Sequence, residues 1–336
     1  MPGELFQIPE TKDGKRVRLV TIFGRLTEEG KKRVHYIFDV GKPEYAVSIA
    51  DGEQPVPSIA GSVPAASWYE REIHDQFGIE FPGSPDSRPL LSHENWPAGF
   101  RPMLASEVEV APWTSASERS SPNEYRFLKV EGAGIVEVPV GPVHAGIIEP
   151  GHFRFSVVGD TVLHLELRHF YTHKGTERLF QGRPVMAGPM LAESVSGDNC
   201  FSHAVAYCQA VEAAFRVAVP PRAAAQRLIG LECERMIAHV GDVGALCNDV
   251  GFSVAAARAA GLKEDLLQAS AQWIGTRYWR GVTVPGGLRA DVSAAATADF
   301  ARTVDETARR FAELAKVILG TPSVQNRFDM AGVLKR

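Results

Sequence analysis

The segment from Glu193 to His203 concentrates groups that can do chemistry. It reads Glu-Ser-Val-Ser-Gly-Asp-Asn-Cys-Phe-Ser-His, which puts carboxylates, hydroxyls, an amide, a thiol and an imidazole in one short stretch. Thiolates and imidazoles bind transition metals, but neutral hydroxyls and amides do not replace soft thiolates. Cys200 and His203 form one C-x-x-H pair, and a single pair does not make a zinc site. We therefore expect no bound metal at this loop.

A second candidate group is Glu232, Arg235 and His239. At 3.6 residues per turn their spacing places them within an arc of roughly 60° on one helix. Most of their neighbours between Leu228 and Val240 are apolar. One interpretation is an ion pair beside a surface histidine. The other is a buried polar network at an interface between helices, where each charge costs several kcal/mol unless it is paired.

Two further histidines are candidates for proton chemistry. His173 and Glu177 are four residues apart, so a carboxylate beside an imidazole could relay protons, or the two could form a pair on a solvated helix. His144 follows Gly141-Pro142, which indicates a tight loop.

The elements that must position these residues differ between the two parts of the chain. Apolar alternation predicts strands at 17–23, 35–40 and 45–49, followed by a helix at 65–77. Ser67 with Glu70 is the pattern of a capping box, and Gly78 is a suitable helix stop. This region, 1–104, is predicted to be a small α/β domain. Residues 105–124 have the composition of a linker.

The region 125–336 is predicted to be mainly helical after an opening hairpin. Two apolar strands within 152–167 flank Gly159-Asp160, which is a typical hairpin turn. Helices are predicted at 197–217, 220–249, 262–280 and 291–319. The fold class expected is therefore α+β.

Composition excludes several classes of protein. The net charge of −4 does not favour nucleic-acid binding. No apolar run reaches the ~18–20 residues that span a bilayer, and no secretory signal precedes the first charged segment. We expect a cytoplasmic protein that reaches the inner face of the cell membrane only through partners. The four cysteines are expected to be reduced core thiols.

Two signatures appear in order along the chain. The run from Tyr69 to Asp86 contains Glu-Arg-Glu-x-x-Asp-x-x-Gly-Ile-x-Phe-x-Gly-Ser-Pro-Asp, which is similar to the signature of the 30-kDa hydrophilic subunit of complex I, with Ser84 in place of its usual histidine. The run Gly141-Pro-Val-His144, the run His173-Lys-Gly-Thr-Glu177 and the run Glu232-Cys-Glu-Arg-Met-Ile-Ala-His239 resemble the 49-kDa subunit and the large subunit of energy-converting, formate-hydrogenlyase-type nickel–iron hydrogenases.

The resemblance also covers the loop at 193–203, with specific departures. The hydrogenase pattern is Glu-Arg-x-Cys-Gly-x-Cys-x-x-x-His, in which Glu193, Gly197 and His203 fall in register. Ser196 and Asn199 occupy the two cysteine positions of the first nickel-ligand pair, and Ser194 occupies the arginine position. The family pattern continues beyond Arg336 with a second cysteine pair, so the resemblance implies a region that is incomplete at its carboxyl end.

The resemblance implies a subunit of a membrane-associated NADH-quinone oxidoreductase or hydrogenase-like complex without a nickel–iron centre. Its implied partners are an iron–sulfur small subunit, a membrane-embedded subunit and other hydrophilic-arm subunits. The candidate residues at 144, 173, 177, 232, 235 and 239 would form an inward network for protons or quinone. No directly bound cofactor is expected, and a quinone is the one small molecule that the resemblance allows. The alternatives are a catalytic quinone-reducing or proton-reducing subunit, and a scaffold without a redox role; whether the chain is itself an enzyme stays open.

Overall fold

The computed structural model describes residues 17–41, 45–94, 96, 99–104, 125, 127–144, 148–329 and 331. The chain divides into two compact units, Met1–Lys174 and Gly175–Arg336, and each is described by itself. The predicted linker at 105–124 lies outside the described residues. The domain boundaries at 104 and 125 stay a prediction.

The first unit opens with a three-stranded antiparallel sheet in the order β1-β2-β3. The strands are β1 (Arg18–Leu26), β2 (Lys32–Asp39) and β3 (Tyr45–Asp51). One face of the sheet carries Ile22, Val34, Tyr36 and Phe38, all fully or nearly fully buried. These side chains form a hydrophobic core with residues of helix α1 (Ala66–Phe77). The predicted strands and helix are confirmed, with longer strands than the sequence pattern indicated.

Helix α1 ends at the predicted glycine, but the side-chain cap predicted at its amino terminus is not found. Gly78 adopts φ +68°, a left-handed conformation that glycine accepts without steric cost. The capping box at Ser67 is wrong, because the helix begins at Ala66 and its amino terminus has no side-chain cap. Glu70 is engaged elsewhere: its carboxylate accepts hydrogen bonds from the Ser58 hydroxyl at 2.6 Å and from the Ile59 N–H at 2.9 Å.

A second antiparallel sheet closes the first unit, in the order β4-β5-β6. Its strands are β4 (Val136–Val140), β5 (His152–Val158) and β6 (Thr161–Arg168). Strands β5 and β6 form the predicted hairpin, and Gly159 takes the positive φ of +55° that its turn requires. The hairpin prediction is confirmed.

The second unit is helical apart from one small hairpin. Its helices are α2 (Thr176–Phe180), α3 (Gly188–Ala192), α4 (Cys200–Phe215), α5 (Pro221–Asp249), α6 (Ser253–Ile274), α7 (Ala294–Leu319) and α8 (Pro322–Phe328), with a short 3₁₀ helix at Val185–Ala187. Two-residue strands β7 (Thr283–Val284) and β8 (Gly287–Leu288) form the hairpin. The helix predicted at 262–280 is wrong in its bounds, because Gly261 lies inside α6 and the helix ends before Gly275.

The long helices share a hydrophobic core around tryptophan. Trp279 is 1% exposed, and its ring lies 5.0 Å from that of Trp273 and 5.2 Å from that of Phe201. The indole N–H of Trp279 donates to the buried hydroxyl of Ser270 at 3.2 Å, so the polar end of the ring is also satisfied. This core fixes α4, α5 and α6 around the loop that follows α6.

All four cysteines are buried free thiols, which confirms the prediction of reduced core cysteines. Among the described helices, none combines the length and the apolar character that crossing a bilayer requires. The mixed α+β class predicted from the sequence is confirmed.

Candidate functional site

The loop at 193–203 lies between helices α3 and α4 of the second unit. Glu193 follows the last residue of α3 and is 6% exposed. Its carboxylate accepts a hydrogen bond from the backbone N–H of Gly281 at 2.7 Å, in the loop beyond α6. Glu193, the first residue of the loop, therefore links the end of α3 to the backbone of the loop beyond α6.

Ser196 and Asn199 stand at the two positions where the hydrogenase pattern has cysteine, and their hydrogen bonds to described residues are local. The hydroxyl of Ser196 donates to the carboxylate of Asp198 at 2.6 Å. Asn199 precedes the first residue of α4, but its side chain does not cap the helix. Its carbonyl oxygen accepts from the Ser202 hydroxyl at 2.9 Å and from the His203 N–H at 3.2 Å. Both residues therefore shape the loop and the first turn of α4.

A buried carboxylate that the sequence analysis did not single out caps α4. Glu234 on α5 is 9% exposed and accepts from the backbone N–H groups of Phe201 at 2.8 Å and Ser202 at 3.0 Å. A negative charge at a helix amino terminus is stabilised by the free N–H groups and by the helix dipole. Glu234 lies between two positions that were selected, Glu232 and Arg235, but on the buried side of the helix.

Cys200 carries the one thiol of the loop, and this thiol donates a hydrogen bond. Its sulfur lies 2.9 Å from the carbonyl oxygen of Tyr278, and the residue is 1% exposed. Burial raises the pKa of this thiol, although a hydrogen bond with Arg280 acts in the opposite direction. A protonated thiol that donates to a carbonyl is not a metal ligand.

The donor groups of this loop do not fit a nickel–iron centre. Such a site needs soft thiolates. Ser196 supplies a hydroxyl, Asn199 an amide and Cys200 a protonated thiol. Over the part of the chain that the structure describes, no three His, Cys, Asp or Glu side chains are grouped closely enough to hold an ion.

The group on α5 is exposed. Arg235 donates to Glu232 at 3.0 Å, with side-chain exposures of 61% and 53%, and His239 on the same helix is also exposed. The sequence left two interpretations of this group open, and the structure has the surface ion pair. The alternative, a buried polar network, is wrong for the second unit taken by itself.

A buried ion pair in this unit joins Arg227 and Glu212. Arg227 donates through Nη1 at 3.0 Å and through Nη2 at 2.7 Å to the two carboxylate oxygens. Nη2 also donates to the carbonyls of Val284 and Gly287, and the Gly286 N–H donates to Glu212 at 2.7 Å. The pair therefore holds the β7–β8 hairpin against α4 and α5. No sequence spacing indicates it, since its members belong to different helices.

Glu177 lies in the first turn of α2 and is not buried, whereas His173 precedes that helix. The alternative of a pair on one solvated helix is therefore wrong. In the first unit, the ring of His173 meets the ring of Trp96 edge-on at 5.8 Å. The ring of His144 approaches that of Phe153 at 6.2 Å. The inward network that would unite these residues stays a prediction.

The loop before His144 depends on a close backbone contact at Gly141. Gly141 has a positive φ of +78°, and a Cβ atom there would lie 2.1 Å from the carbonyl oxygen of Gly151. A side chain would push the loop away from β5, so glycine is required there.

The signature at 69–86 of the first unit is explained by hydrogen bonding. One carboxylate oxygen of Asp75 accepts from three successive backbone N–H groups, those of Leu90, Leu91 and Ser92, at 2.8, 2.7 and 3.1 Å. Arg71 pairs with Asp86 at 3.1 Å and donates to the carbonyls of Arg88 and Pro89. These contacts fold the loop that follows α1, and a pocket of about 380 Å³ lies there, lined in part by Glu70, Arg71, His74, Phe81 and Asp86.

A charged cluster then connects that loop to the second sheet. Arg88 pairs with Asp86 at 2.9 Å and with Glu166 of β6 at 3.2 Å. Glu166 also accepts from the Tyr125 hydroxyl at 2.7 Å, while Arg168 pairs with Glu94 at 2.7 Å. Burial opposes ionisation of Glu94, but hydrogen bonds from Arg168 and from the Tyr125 N–H outweigh it and lower its pKa to about 2. This cluster ties β6 to the residues around the signature.

The chain is similar to known proteins over most of its length. Residues 10–107 match the family model for the 30-kDa subunit of the respiratory-chain NADH dehydrogenase. The chain is 33% identical over 283 residues to hydrogenase-4 component G of Escherichia coli K12, covering 83% of this chain and 50% of that protein. It is 32% identical over 294 residues to formate hydrogenlyase subunit 5 of the same organism, covering 86% and 49%. It is 25% identical over 329 residues to the C/D-type NADH-quinone oxidoreductase protein of Phocaeicola vulgatus, covering 92% and 62%.

The chain is thus similar to subunits of hydrogenase-4, of formate hydrogenlyase and of NADH-quinone oxidoreductase, and the resemblance read from its motifs is confirmed. It spans about half the length of the first two of these relatives. Its fold is also similar to a chain of the membrane-bound sulfane sulfur reductase, an archaeal respiratory membrane complex, with a TM-score of 0.56 at 23% identity, covering 60% of this chain and 54% of that chain.

Proposed function

We propose that the chain is a subunit of a membrane-bound respiratory or hydrogenase-like oxidoreductase complex, without a nickel–iron centre of its own. The observation that carries the proposal is the loop at 193–203. The carboxylates of Glu193 and Glu234 bind backbone N–H groups on either side of it, while Ser196 and Asn199 stand where the related pattern has metal-binding cysteines. The loop keeps an ordered framework with donors that do not suit nickel or iron.

The similarity to named subunits of such complexes supports this place in an assembly. The relatives include a hydrogenase-4 component, a formate hydrogenlyase subunit and NADH-quinone oxidoreductase subunits, all similar over most of this chain. In the proposal, the hydrogenase-large-subunit-like second half docks an iron–sulfur small subunit. The chain is attached to the inner face of the membrane through a membrane-embedded subunit, alongside other hydrophilic-arm subunits.

The proposed role is to couple electron transfer from the iron–sulfur partner to the membrane arm. Imidazole and carboxylate groups can pass protons when they face a common cavity. His144, His173, Glu177 and His239 supply such groups, and the proposal assigns them to a path for protons or for a quinone in the assembled complex. The chain holds no directly bound cofactor in this account.

The experiment that tests the proposal is purification from native membranes. A tagged chain, extracted with a mild detergent, should carry an iron–sulfur subunit and an integral membrane subunit with it, as identified by mass spectrometry. Quinone reduction by the purified complex that is lost in a His173→Ala, Glu177→Ala double variant would move the assignment to a catalytic subunit. Recovery of the tagged chain alone, in the soluble fraction, would contradict the proposal.

A further inference from the structure

The pocket in the first unit lies between helix α1 and the loop that follows it. Its volume of about 380 Å³ is within the range of ~300–1,000 Å³ that small-molecule sites occupy. The helix contributes Glu70, Arg71 and His74, and the loop contributes residues between Glu80 and Arg88. We call this cavity the α1 pocket. The hydrogen-bonding groups on its walls indicate which kind of ligand it can bind.

Both guanidinium groups of the α1 pocket are already engaged. Arg71 donates through Nε and Nη2 to two backbone carbonyls of the loop, and its Nη1 pairs with Asp86. Arg88 pairs through Nε and Nη2 with Asp86, and its Nη1 donates to Glu166 and to the Tyr125 hydroxyl. Every nitrogen of the two guanidiniums therefore has a partner. A phosphate or carboxylate ligand would have to compete with these contacts.

The lining groups that remain available are mainly hydrogen-bond acceptors. His74 Nδ1 lies 3.0 Å from the carbonyl oxygen of Ile79, which only accepts, so in the neutral ring Nδ1 carries the proton and Nε2 is an acceptor. The Ser84 hydroxyl donates to a carbonyl of its own loop at 3.0 Å, which leaves its lone pairs available. Glu80 is exposed, and its carboxylate pairs with no described residue. A ligand that donates hydrogen bonds fits this set.

The charge beneath the α1 pocket favours a cation. Glu70 is fully buried, and its carboxylate is bound by the Ser58 hydroxyl and the Ile59 N–H, which are both neutral groups. Burial raises the pKa of Glu70 against the effect of these two hydrogen bonds. Because a ligand cannot touch a fully buried carboxylate, a cation in the pocket would stabilise its charge through the electric field alone.

We infer that the α1 pocket binds a small organic cation, an alkylammonium or alkylguanidinium group whose apolar stem lies on Phe81 and Pro82. The N–H groups of this cation donate to Glu80, to the acceptor nitrogen of His74 and to the Ser84 hydroxyl. A free amine or guanidine has this chemistry, and so does the end of a lysine or arginine side chain of another subunit. The inference goes beyond the proposed function and does not depend on it.

Ligand-observed NMR titration of the 336-residue chain tests the inference. The probes are n-butylguanidinium, n-butylurea, which has a similar shape and no charge, and pentanoate, which has the opposite charge. We expect n-butylguanidinium to bind roughly fivefold more tightly than n-butylurea, and pentanoate not to bind. Equal binding of the guanidinium and the urea, a preference for pentanoate, or no binding of the guanidinium would overturn the inference.

A substitution at Glu80 shows whether the binding occurs in this pocket. Because Glu80 is exposed, Glu80→Gln should keep the unfolding midpoint of the wild type while its affinity for n-butylguanidinium falls roughly fivefold. Glu28→Gln, in the exposed turn between β1 and β2, removes the same charge and is the matched control. It should bind like the wild type. Wild-type affinity in Glu80→Gln, or an equal loss in both variants, would contradict binding at the α1 pocket.

The same titration of the complex purified from membranes distinguishes the two sources of the cation. If the complex binds n-butylguanidinium as the isolated chain does, the pocket serves a free amine or guanidine. If the complex excludes the probe that the isolated chain binds, a basic side chain of another subunit occupies the pocket. Both results retain the site and identify its occupant. Failure of the titration with the isolated chain would remove the inference and leave the proposed function untouched.

Discussion

Arg227 and Glu212 form a two-point ion pair, with N···O distances of 3.0 and 2.7 Å and side-chain exposures of only 5% and 7%. The pair also binds the backbone of the β7–β8 hairpin on both sides. It is therefore the main electrostatic link between that hairpin and helices α4 and α5 within the second unit.

Removal of one partner should be costly. Arg227→Ala leaves the buried carboxylate of Glu212 without its cation, and we expect a loss of ~3–5 kcal/mol in the free energy of unfolding. Denaturant unfolding followed by circular dichroism measures it. A loss within the range of an ordinary surface substitution would show that water reaches Glu212.

The exposed ion pair between Arg235 and Glu232 on α5 should contribute much less to stability than the buried pair. Arg235→Ala removes an ion pair whose side chains are 61% and 53% exposed, so the expected change in unfolding free energy is below ~1 kcal/mol. The same denaturant experiment applies to the isolated chain. A loss as large as that of Arg227→Ala would mean that Arg235 is buried in the folded chain.

The cap that the buried carboxylate of Glu234 provides to α4 should contribute measurably to stability. Glu234→Ala removes two hydrogen bonds to the N–H groups of Phe201 and Ser202 and leaves both donors without that partner. We expect a loss of about 1–3 kcal/mol. Hydrogen exchange at the first turn of α4 should accelerate, whereas Glu232→Ala, on the exposed side of α5, should leave it unchanged.

The charged cluster of the first unit predicts an acid transition. The pKa of Glu94 is lowered from 4.5 to about 2 in the folded chain. Its contribution to stability is therefore fully present above pH 4.5 and is lost as the pH falls toward about 2. Unfolding midpoints measured across this range should fall less steeply for Glu94→Gln than for the wild type. Parallel curves for the two proteins would contradict the assignment.

The sequence was a reliable guide where the pattern was local. The Gly159-Asp160 turn, the Gly78 helix stop and the course of α5 depend on neighbouring residues, and all three are found. The capping box failed because Glu70 has a stronger use, binding Ser58 and Ile59 in a loop distant in sequence. The predicted start of α6 was wrong because the buried residues Ala259 and Leu262, on either side of the exposed Gly261, keep the helix continuous through this glycine despite its low helix propensity.

The partners of the buried carboxylates in the candidate site could not be predicted for the same reason. Glu193 binds Gly281, which is 88 residues away, and Glu212 binds Arg227 on another helix. Periodicity within one segment carries no information on such partners. It did select the face of α5 with Glu232 and Arg235, but the buried residue is Glu234 between them.

Restoring the two cysteines should not restore a metal site. In Ser196→Cys, Asn199→Cys, the new thiols join a loop whose remaining cysteine, Cys200, donates to the Tyr278 carbonyl and has a raised pKa. The chain has only four cysteines and none of them forms a second C-x-x-C pair. We expect neither retained nickel nor hydrogen evolution from the complex that contains this variant. Hydrogen evolution above that of the wild-type complex would refute this interpretation of the loop.

The decisive measurement is elemental analysis of the complex purified from native membranes through this chain. We expect iron from the partner's clusters and no nickel above background. Nickel in a stoichiometric ratio to the chain would contradict it, because the loop at 193–203 would then hold the metal that its donors are argued to exclude.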